Sequence, residues 1–178
     1  MNALRVVVCA SLAACATAPT SRPDVARQLA PTGRLRAAIN FGNPVLAQKD
    51  PATGEARGAS VDLARELGRR LSLPVDLVPF DAAGKVVEAI KTDAWDVAFL
   101  AVDPERAAEI AFTAAYLEIP ATYLVPQGST IRSVAEVDRD GVRIAVADKS
   151  AYELWLSRNI KHAKLMKTQA STPRSTSS

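Results

Sequence analysis

The chain has 178 residues, 48% of them hydrophobic and 23% charged, which is typical of a globular protein with one domain or two small ones. Its formal charge is +3, yet the chain is slightly acidic apart from five positive residues in its first and last segments: Arg5, Lys161, Lys164, Lys167 and Arg174. This distribution, without a basic stripe carrying interleaved aromatic residues, excludes a typical nucleic-acid surface.

Residues 1–15 predict an export signal with a lipobox. Arg5 precedes an apolar run from Val6 to Ala14, which is too short to span a bilayer as a permanent helix. The sequence Leu-Ala-Ala-Cys at 12–15 resembles the lipobox of bacterial lipoproteins, whose cysteine is lipidated and becomes the first mature residue. A plain secretory leader cut elsewhere is the alternative. Both interpretations predict a location outside the cytoplasm, in the periplasm or anchored to the membrane by lipid on Cys15.

The body after the leader is predicted to have neither a thiol nor a metal site. Cys9 would be removed with the leader and Cys15 would carry lipid, which excludes a cysteine nucleophile, a disulfide and a cysteine-based metal site. His162 lies in the basic terminal segment and is typical of a solvated surface histidine. We therefore expect no metal and no cofactor.

From residue 35 onward, apolar runs and amphipathic periodicity alternate. Residues 16–33, rich in Ala, Pro, Thr and Ser, predict a tether. The long Gly- and Pro-rich connection after the first strand is a candidate site segment, and Ser60 is the expected cap of the next helix. The elements predicted up to residue 102 are strand 35–40, helix 60–71, strand 75–80, helix 83–91 and strand 96–102.

The second half of the body predicts further elements of both kinds. These are helix 104–112, strand 121–125, helix 133–137, strand 142–147, helix 151–158 and a strand at 165–166, followed by a disordered tail at 168–178. Strand-helix-strand order favours right-handed crossovers, so the chain predicts an α/β fold with a parallel sheet. Ligands bind beyond the carboxyl ends of such strands, where the Phe41 loop and the Asp103 segment both begin.

The segment from Asp103 to Arg106 has two interpretations. Asp103 is a favoured N-cap, Pro104 fits the first helical position and Glu105 suits the positive end of the helix dipole. On this local interpretation Arg106 pairs with Asp103 or points to water. On the other, Arg106 is an anion-binding group at the mouth of the crevice.

Five pieces of the sequence, in this order and spacing, form a fairly specific pattern. They are Gly-Arg-Leu-Arg at 33–36, Gly58–Ala64, Trp95–Val97, Asp103–Arg106, and Ile110–Thr113 followed by Tyr116. The pattern resembles the bacterial extracellular solute-binding proteins of polar amino-acid transporters, a family of two-lobed type II periplasmic binding proteins. The resemblance covers about residues 33–166. It implies a parallel-sheet first lobe at 34–120 and the start of a second α/β lobe at 121–167.

The resemblance also implies a ligand site between the lobes. In that family the arginine of the Pro-Glu-Arg segment binds the ligand's α-carboxylate, and Arg106 is in its place; a guanidinium fork matches a carboxylate. Ser150 is near the position of a hydroxyl at a second-lobe helix N-terminus, which favours an anion. The implied partners are a small anionic or zwitterionic solute and an ABC transporter permease that senses lobe closure.

The sequence departs from the family pattern near this site. Ala101 offers no hydroxyl, and Asp103 stands where family members often have a hydroxyl residue. After the first strand, Asn40, Phe41 and Asn43 are the candidates for ligand contact, although loop asparagines often serve turns. An amino acid and another small carboxylate both stay open as the ligand.

The chain stops soon after the implied second lobe begins. We therefore expect a truncated member with exposed sheet edges and poor stability. One alternative is an enzyme on the same scaffold, such as a periplasmic cyclohexadienyl dehydratase. Such an enzyme would need a general acid beside Arg106. A sensory module and a non-functional fragment are the remaining alternatives.

Overall fold

The computed structural model describes residues 23–169, so the predicted leader, Cys15 and the tail beyond 169 lie outside the described part. The helices are α1 Pro23–Leu29, α2 Ala59–Leu71, α3 Ala83–Glu88, α4 Pro104–Ala107 and α5 Ala151–Asn159, with 3₁₀ turns at Ala89–Thr92 and Val134–Glu136. The strands are β1 Leu35–Asn40, β2 Gln48–Lys49, β3 Ala56–Arg57, β4 Val75–Phe80, β5 Val97–Ala98, β6 Arg143–Ala147 and β7 Lys164–Thr168. Within 23–169, no helix has both the length and the apolar character needed to cross a membrane.

The first unit is a parallel sheet in the order β4-β1-β5, with α2 and α3 packed on it. β1 is central because it is apolar, and its fully buried side chains are Leu35, Ala37, Ala38 and Ile39. It pairs with β4 along all its residues, whereas it pairs with β5 only at two. The parallel order confirms the predicted α/β class.

α2 is the longest helix of the first unit, and its apolar face lies on the sheet. Val61 and Ala64 are fully buried there. Gly68 lies so close to β4 that a Cβ at this position would meet Cγ2 of Val75 at 2.2 Å. The small side chain therefore sets how closely the helix approaches the strand.

The start of α2 differs from the prediction that Ser60 caps it. Gly58 is the N-cap, and Ser60 is buried in the first turn, where its N–H donates to the carbonyl of Leu46. Gly58 has a φ of 118° and passes so close to Leu46 that a Cβ would lie 2.6 Å from that carbonyl oxygen. Only glycine fits this approach, which fixes the helix start before Ser60.

An ion pair fastens β1 to the residue before β5. The Asp96 carboxylate, 4% exposed, accepts hydrogen bonds from the backbone N–H of Arg36 at 2.7 Å and from its guanidinium, with Nη2 at 2.6 Å. Because a buried carboxylate needs such partners, this pair fixes the register of the short β5.

The second unit consists of the parallel pair β6-β7 and helix α5. Its core is formed by buried apolar side chains of the sheet, the helix and the preceding loop: Val137, Ile144, Val146 and Leu156. Asp138 closes the loop before β7, because its carboxylate accepts backbone hydrogen bonds from Lys161, His162 and Ala163 at 2.7–2.9 Å. The predicted strand, helix and strand of this region are confirmed with small shifts of their bounds.

Four predicted elements are shorter or missing. The strand predicted at 121–125 is wrong, and Leu124 there is fully exposed. The strand predicted at 96–102 has only the residues of β5, and the helix predicted at 104–112 ends at Ala107. The helix predicted at 133–137 is only the 3₁₀ turn Val134–Glu136. Strands and short helices depend on neighbours for their stability: in the described residues no strand pairs with 121–125, and β5 pairs with β1 at only two positions.

The N-terminal segment also contains structure. α1 lies within residues 16–33, the predicted tether, and Ala30 directly after it is buried. Part of the predicted tether is therefore helical rather than extended.

Candidate functional site

The candidate site begins where the chain leaves β5 and enters α4. Asp103 is the N-cap of α4: its Oδ1 accepts a 3.0 Å hydrogen bond from the backbone N–H of Glu105, and Pro104 takes the first helical position. The local interpretation of this segment as a helix start is confirmed. Arg106 follows within the same turn and is only 3% exposed, so the expectation that it points to water is wrong.

The guanidinium of Arg106 donates to two backbone carbonyls. Its Nη1 is 3.1 Å from the carbonyl oxygen of Ala101, and its Nη2 is 3.1 Å from that of Lys149. Ala101 and α4 follow β5, the last strand of the first unit, whereas Lys149 lies just before α5 of the second unit. Arg106 therefore links the two units. Within residues 23–169, no ion pair joins Arg106 to an acidic side chain.

Asp103 is paired with a cation of the second unit. Arg158, in the last turn of α5, donates from Nη2 to Oδ2 of Asp103 at 2.5 Å. Its Nη1 lies 3.4 Å from Asp103 Oδ1 and 3.4 Å from Oε1 of Glu105. Asp103 is 4% exposed, and its predicted pairing with Arg106 is wrong because Arg158 occupies the carboxylate.

Burial and these partners shift the pKa values of the three groups. Burial lowers the pKa of Arg106, because the charged guanidinium loses solvation, while the charges of Asp103 and Glu105 oppose this. Burial acts to raise the pKa of Asp103, but the hydrogen bonds from Arg158 and the Glu105 backbone outweigh it, so this pKa lies below its ordinary value. The hydrogen bond to Asp103 raises the pKa of Arg158. Asp103 is therefore held as a carboxylate.

Ser150 caps α5, as expected for a hydroxyl at a helix N-terminus. Its Oγ accepts a 3.2 Å hydrogen bond from the backbone N–H of Glu153. Glu153 is 3% exposed, and its carboxylate binds Ser157 Oγ at 2.6 Å and Lys167 Nζ at 2.7 Å. An anion placed at Ser150 would meet this buried carboxylate, so Arg106 is the stronger anion-binding group.

A close contact holds the N-terminus of α5 beside Arg106. Lys149 has a φ of 54° and packs on Gly84 of α3, where an added Cβ would meet Cβ of Lys149 at 2.7 Å. The Lys149 ammonium pairs with Glu88 on the same helix, which raises the pKa of Lys149. The two units therefore meet through backbone and side chain at this point.

The candidates at the end of β1 and in the loop after it each have a local partner. Asn40 and Asn43 accept hydrogen bonds, of 3.0 and 3.2 Å, from the backbone N–H two residues later, which is typical of turn asparagines. Phe41 is half-buried, and the ammonium of Lys49 lies 5.1 Å from its ring centroid. Their predicted contact with a ligand stays a prediction.

A surface cavity of about 240 Å³ lies away from Arg106, in the segment between α4 and β6. Its lining residues are Thr122, Tyr123, Val125, Ile131, Arg132, Ser133, Val134 and Val137. None of the six predicted ligand residues lines it. In the described residues 23–169, no cluster of His, Cys, Asp or Glu is placed to hold a metal ion.

Sequence reasoning misses Arg158, Lys149 and Glu153. A basic residue in the last turn of a helix, such as Arg158, is explained by the helix dipole, and its contact with Asp103 joins positions 55 apart. Glu153 does carry a signal, because Ser150 and Glu153 have the spacing of a capping box. Lys149 gives no signal, since glycine or asparagine is the usual residue at positive φ.

Three solved structures resemble this fold. An ancestral amino-acid-binding protein, a precursor of cyclohexadienyl dehydratase, aligns with a TM-score of 0.68 at 24% identity over 81% of this chain and 65% of its own. A protein from Wolinella succinogenes DSM 1740, described as a binding component of an ABC transporter and complexed with lysine, gives 0.65 at 24% identity over 76% and 59%. The cysteine-binding protein of Campylobacter jejuni gives 0.59 at 21% identity over 82% and 58%.

These alignments agree on the fold, and this chain spans less than two thirds of the length of each of the three proteins. None of the curated proteins matches the chain significantly. The sequence profile of the bacterial extracellular solute-binding proteins, family 3, matches residues 35–172. That match covers both units, with Asp103, Arg106 and Ser150 inside it, and extends over most of the chain. The chain therefore belongs to family 3 of the bacterial extracellular solute-binding proteins.

Proposed function

We propose that this protein binds a small carboxylate-bearing solute, such as an amino acid, between its two units and presents it to an ABC transporter permease. Arg106 binds the carboxylate. Asp103 positions the start of α4, and Ser150, Asn40, Phe41 and Asn43 line the approach to the solute. The protein has no chemistry of its own in this proposal.

The observation that carries the proposal is a buried guanidinium without a carboxylate. Arg106 is 3% exposed, and two of its N–H groups donate to neutral carbonyls. A buried charge is costly unless it is paired, and a charge-assisted bidentate pair is stronger than bonds to neutral carbonyls. A ligand carboxylate that displaces the Lys149 carbonyl would supply the missing partner.

The similar structures support this ligand class. The protein from Wolinella succinogenes is complexed with lysine and that from Campylobacter jejuni is a cysteine-binding protein, so the side chains of these ligands differ in charge and size. The α-carboxylate and the α-amino group are what such ligands share. A single arginine at the contact of the two units suits the shared carboxylate.

The enzyme alternative has less support from the site. A dehydratase needs a general acid close to the bound carboxylate. Asp103 is held ionised by Arg158, and Glu105 is solvent-exposed and contacts Arg158 as well. Asp103 is therefore not available as a proton donor, and Glu105 is drawn to Arg158 at the surface, which favours binding without turnover.

A thermal-shift screen of residues 16–178 against the standard amino acids, acetate and succinate tests the proposal. We expect a saturable rise in melting temperature with at least one carboxylate, because ligand binding to the folded state stabilises it. Arg106→Lys keeps the charge but loses the fork, and we expect it to remove most of the shift. Arg65→Ala on the exposed face of α2 is the matched control and keeps the full shift. No shift with any carboxylate, or an equal shift in Arg106→Lys, would contradict the proposal.

A further inference from the structure

Arg106 and Asp103 carry opposite charges and are close in sequence, yet they form no ion pair. Asp103 is the N-cap of α4 and Arg106 lies three positions later in its first turn, close enough for the two opposite charges to meet. Each feels the other's charge, but the Asp103 carboxylate is bonded elsewhere. Another contact in the structure therefore prevents the ion pair between Asp103 and Arg106.

Arg158 occupies the carboxylate that Arg106 would otherwise take. Its Nη2 holds Oδ2 of Asp103 at 2.5 Å, and its Nη1 reaches Oδ1 at 3.4 Å. Oδ1 also accepts the backbone N–H of Glu105 at 3.0 Å. Both oxygens of Asp103 are thus engaged on the side of Arg158 and the helix start.

We propose that Arg158 is a positioning residue for ligand binding: it holds Asp103 away from Arg106, so that among the described residues the Arg106 guanidinium has only neutral carbonyls as partners and can accept a ligand carboxylate in place of one of them. The inference rests on the proposed function of Arg106 as the carboxylate-binding group. Arg158 belongs to α5 of the second unit. Arg106 therefore stays unpaired with Asp103 only while α5 is packed beside α4.

Loss of Arg158 has a defined consequence. Asp103 is 4% exposed, and a buried carboxylate without a partner is strongly disfavoured. Arg106, three positions later in the first turn of α4, is a cation whose charge already acts on Asp103, so Asp103 would turn to it. The new intramolecular pair would compete with any ligand carboxylate for the fork.

A ligand-free measurement tests this positioning directly. The interaction between Asp103 and Arg106 is obtained from a double-mutant cycle of Asp103→Asn and Arg106→Gln in urea unfolding, once in the wild-type background and once with Arg158→Ala. Asn is as good an N-cap as Asp, so the start of α4 is kept. We expect little coupling in the wild type and about a tenfold coupling in the unfolding equilibrium constant with Arg158→Ala. Equal coupling in the two backgrounds would overturn the inference.

A second test measures binding affinity by isothermal titration calorimetry, with the carboxylate that binds most tightly in the thermal-shift screen. Arg158→Ala should weaken binding by about tenfold or more, Arg158→Lys by less, and Arg158→Ala combined with Asp103→Asn should recover most of the loss. Arg65→Ala, outside the site, is the control and binds as the wild type does. A merely structural Arg158 would give a double variant as weak as Arg158→Ala, which overturns the inference. If the wild type binds no carboxylate, the proposed function fails, and the ligand-free cycle still decides where Asp103 turns.

Discussion

Nη2 of Arg106 donates a 3.1 Å hydrogen bond to the carbonyl oxygen of Lys149, 43 positions further along the chain. This bond joins the first turn of α4 in the first unit to the N-terminal loop of α5 in the second. Arg106, the proposed anion-binding residue, therefore also contributes to the contact between the two units. In the proposed binding mode a ligand carboxylate replaces this bond, so binding would be coupled to the relative position of the units.

The close contact between Gly84 and Lys149 predicts that a side chain added at Gly84 will clash, and that removing the Lys149 side chain will relieve the clash. Gly84→Ala places a Cβ 2.7 Å from Cβ of Lys149, and we expect the overpacking to lower the free energy of unfolding by about 1–3 kcal/mol. Lys149→Gly removes the opposing Cβ and suits the φ of 54° at that position. The double variant should therefore regain most of the loss in urea unfolding. A double variant that is less stable than Gly84→Ala would show that this contact does not limit the packing.

The loop before β7 predicts a local loss of protection. Asp138 accepts three backbone N–H bonds, which lower the pKa of its carboxyl. Asp138→Asn removes the charge and one acceptor oxygen, so we expect faster amide hydrogen exchange at residues 161–163 and a lower urea midpoint. Asp62→Asn, on the exposed face of α2, is the control. Unchanged exchange at 161–163 would contradict this role of Asp138.

Acid should destabilise the protein over a defined range. The pKa values of Asp103, Glu153 and Asp138 lie below their ordinary values, so these groups bind protons more weakly in the folded state than in the unfolded one. Their stabilisation is complete above the ordinary carboxyl range of about pH 4 and is lost as the pH falls through the lowered values.

Urea midpoints measured from neutral pH down to about pH 2.5 check this dependence. We expect a steep fall below about pH 4 and a shallower fall in Asp103→Asn, which lacks one of these groups. Asp62→Asn should follow the wild type. A midpoint that stays level through the acid range would contradict the lowered pKa values.

The leader predicts lipidation at Cys15. When the full chain is expressed in a bacterial host, we expect the wild type in the membrane fraction with a lipid-modified N-terminal cysteine in its mass spectrum. Cys15→Ser should lose the modification, whereas Cys9→Ser, within the removed segment, should keep it. An unmodified mature chain, cut at another position, would favour the plain secretory leader.

The sequence predicts two strands of the first unit, β1 and β4, well, because their patterns are local and strong. β1 and β4 have the predicted bounds, since an apolar run and an alternating run each fit one place in a covered sheet. The cap of α4 by Asp103 and of α5 by Ser150 is also predicted correctly, because capping depends on neighbours in sequence.

What the sequence does not predict depends on distant contacts. The run at 121–125 has strand composition, but without a neighbouring strand in the described residues it stays irregular. The start of α2 depends on how closely Gly58 approaches Leu46, which no local pattern reveals. At the site, the pairing of Asp103 is decided by Arg158, whose approach requires the whole second unit to fold.

Arg106 is proposed to bind a ligand carboxylate. The most direct test of this proposal is isothermal titration calorimetry of the tightest amino acid of the screen and of its carboxamide, with the wild type and with Arg106→Gln. The wild type should prefer the acid over the amide by about 2–5 kcal/mol, because the amide forfeits the charge-assisted pair with the buried guanidinium. In Arg106→Gln, whose fold is checked by circular dichroism, this preference should nearly vanish. A preference of the same size in both proteins would contradict the account.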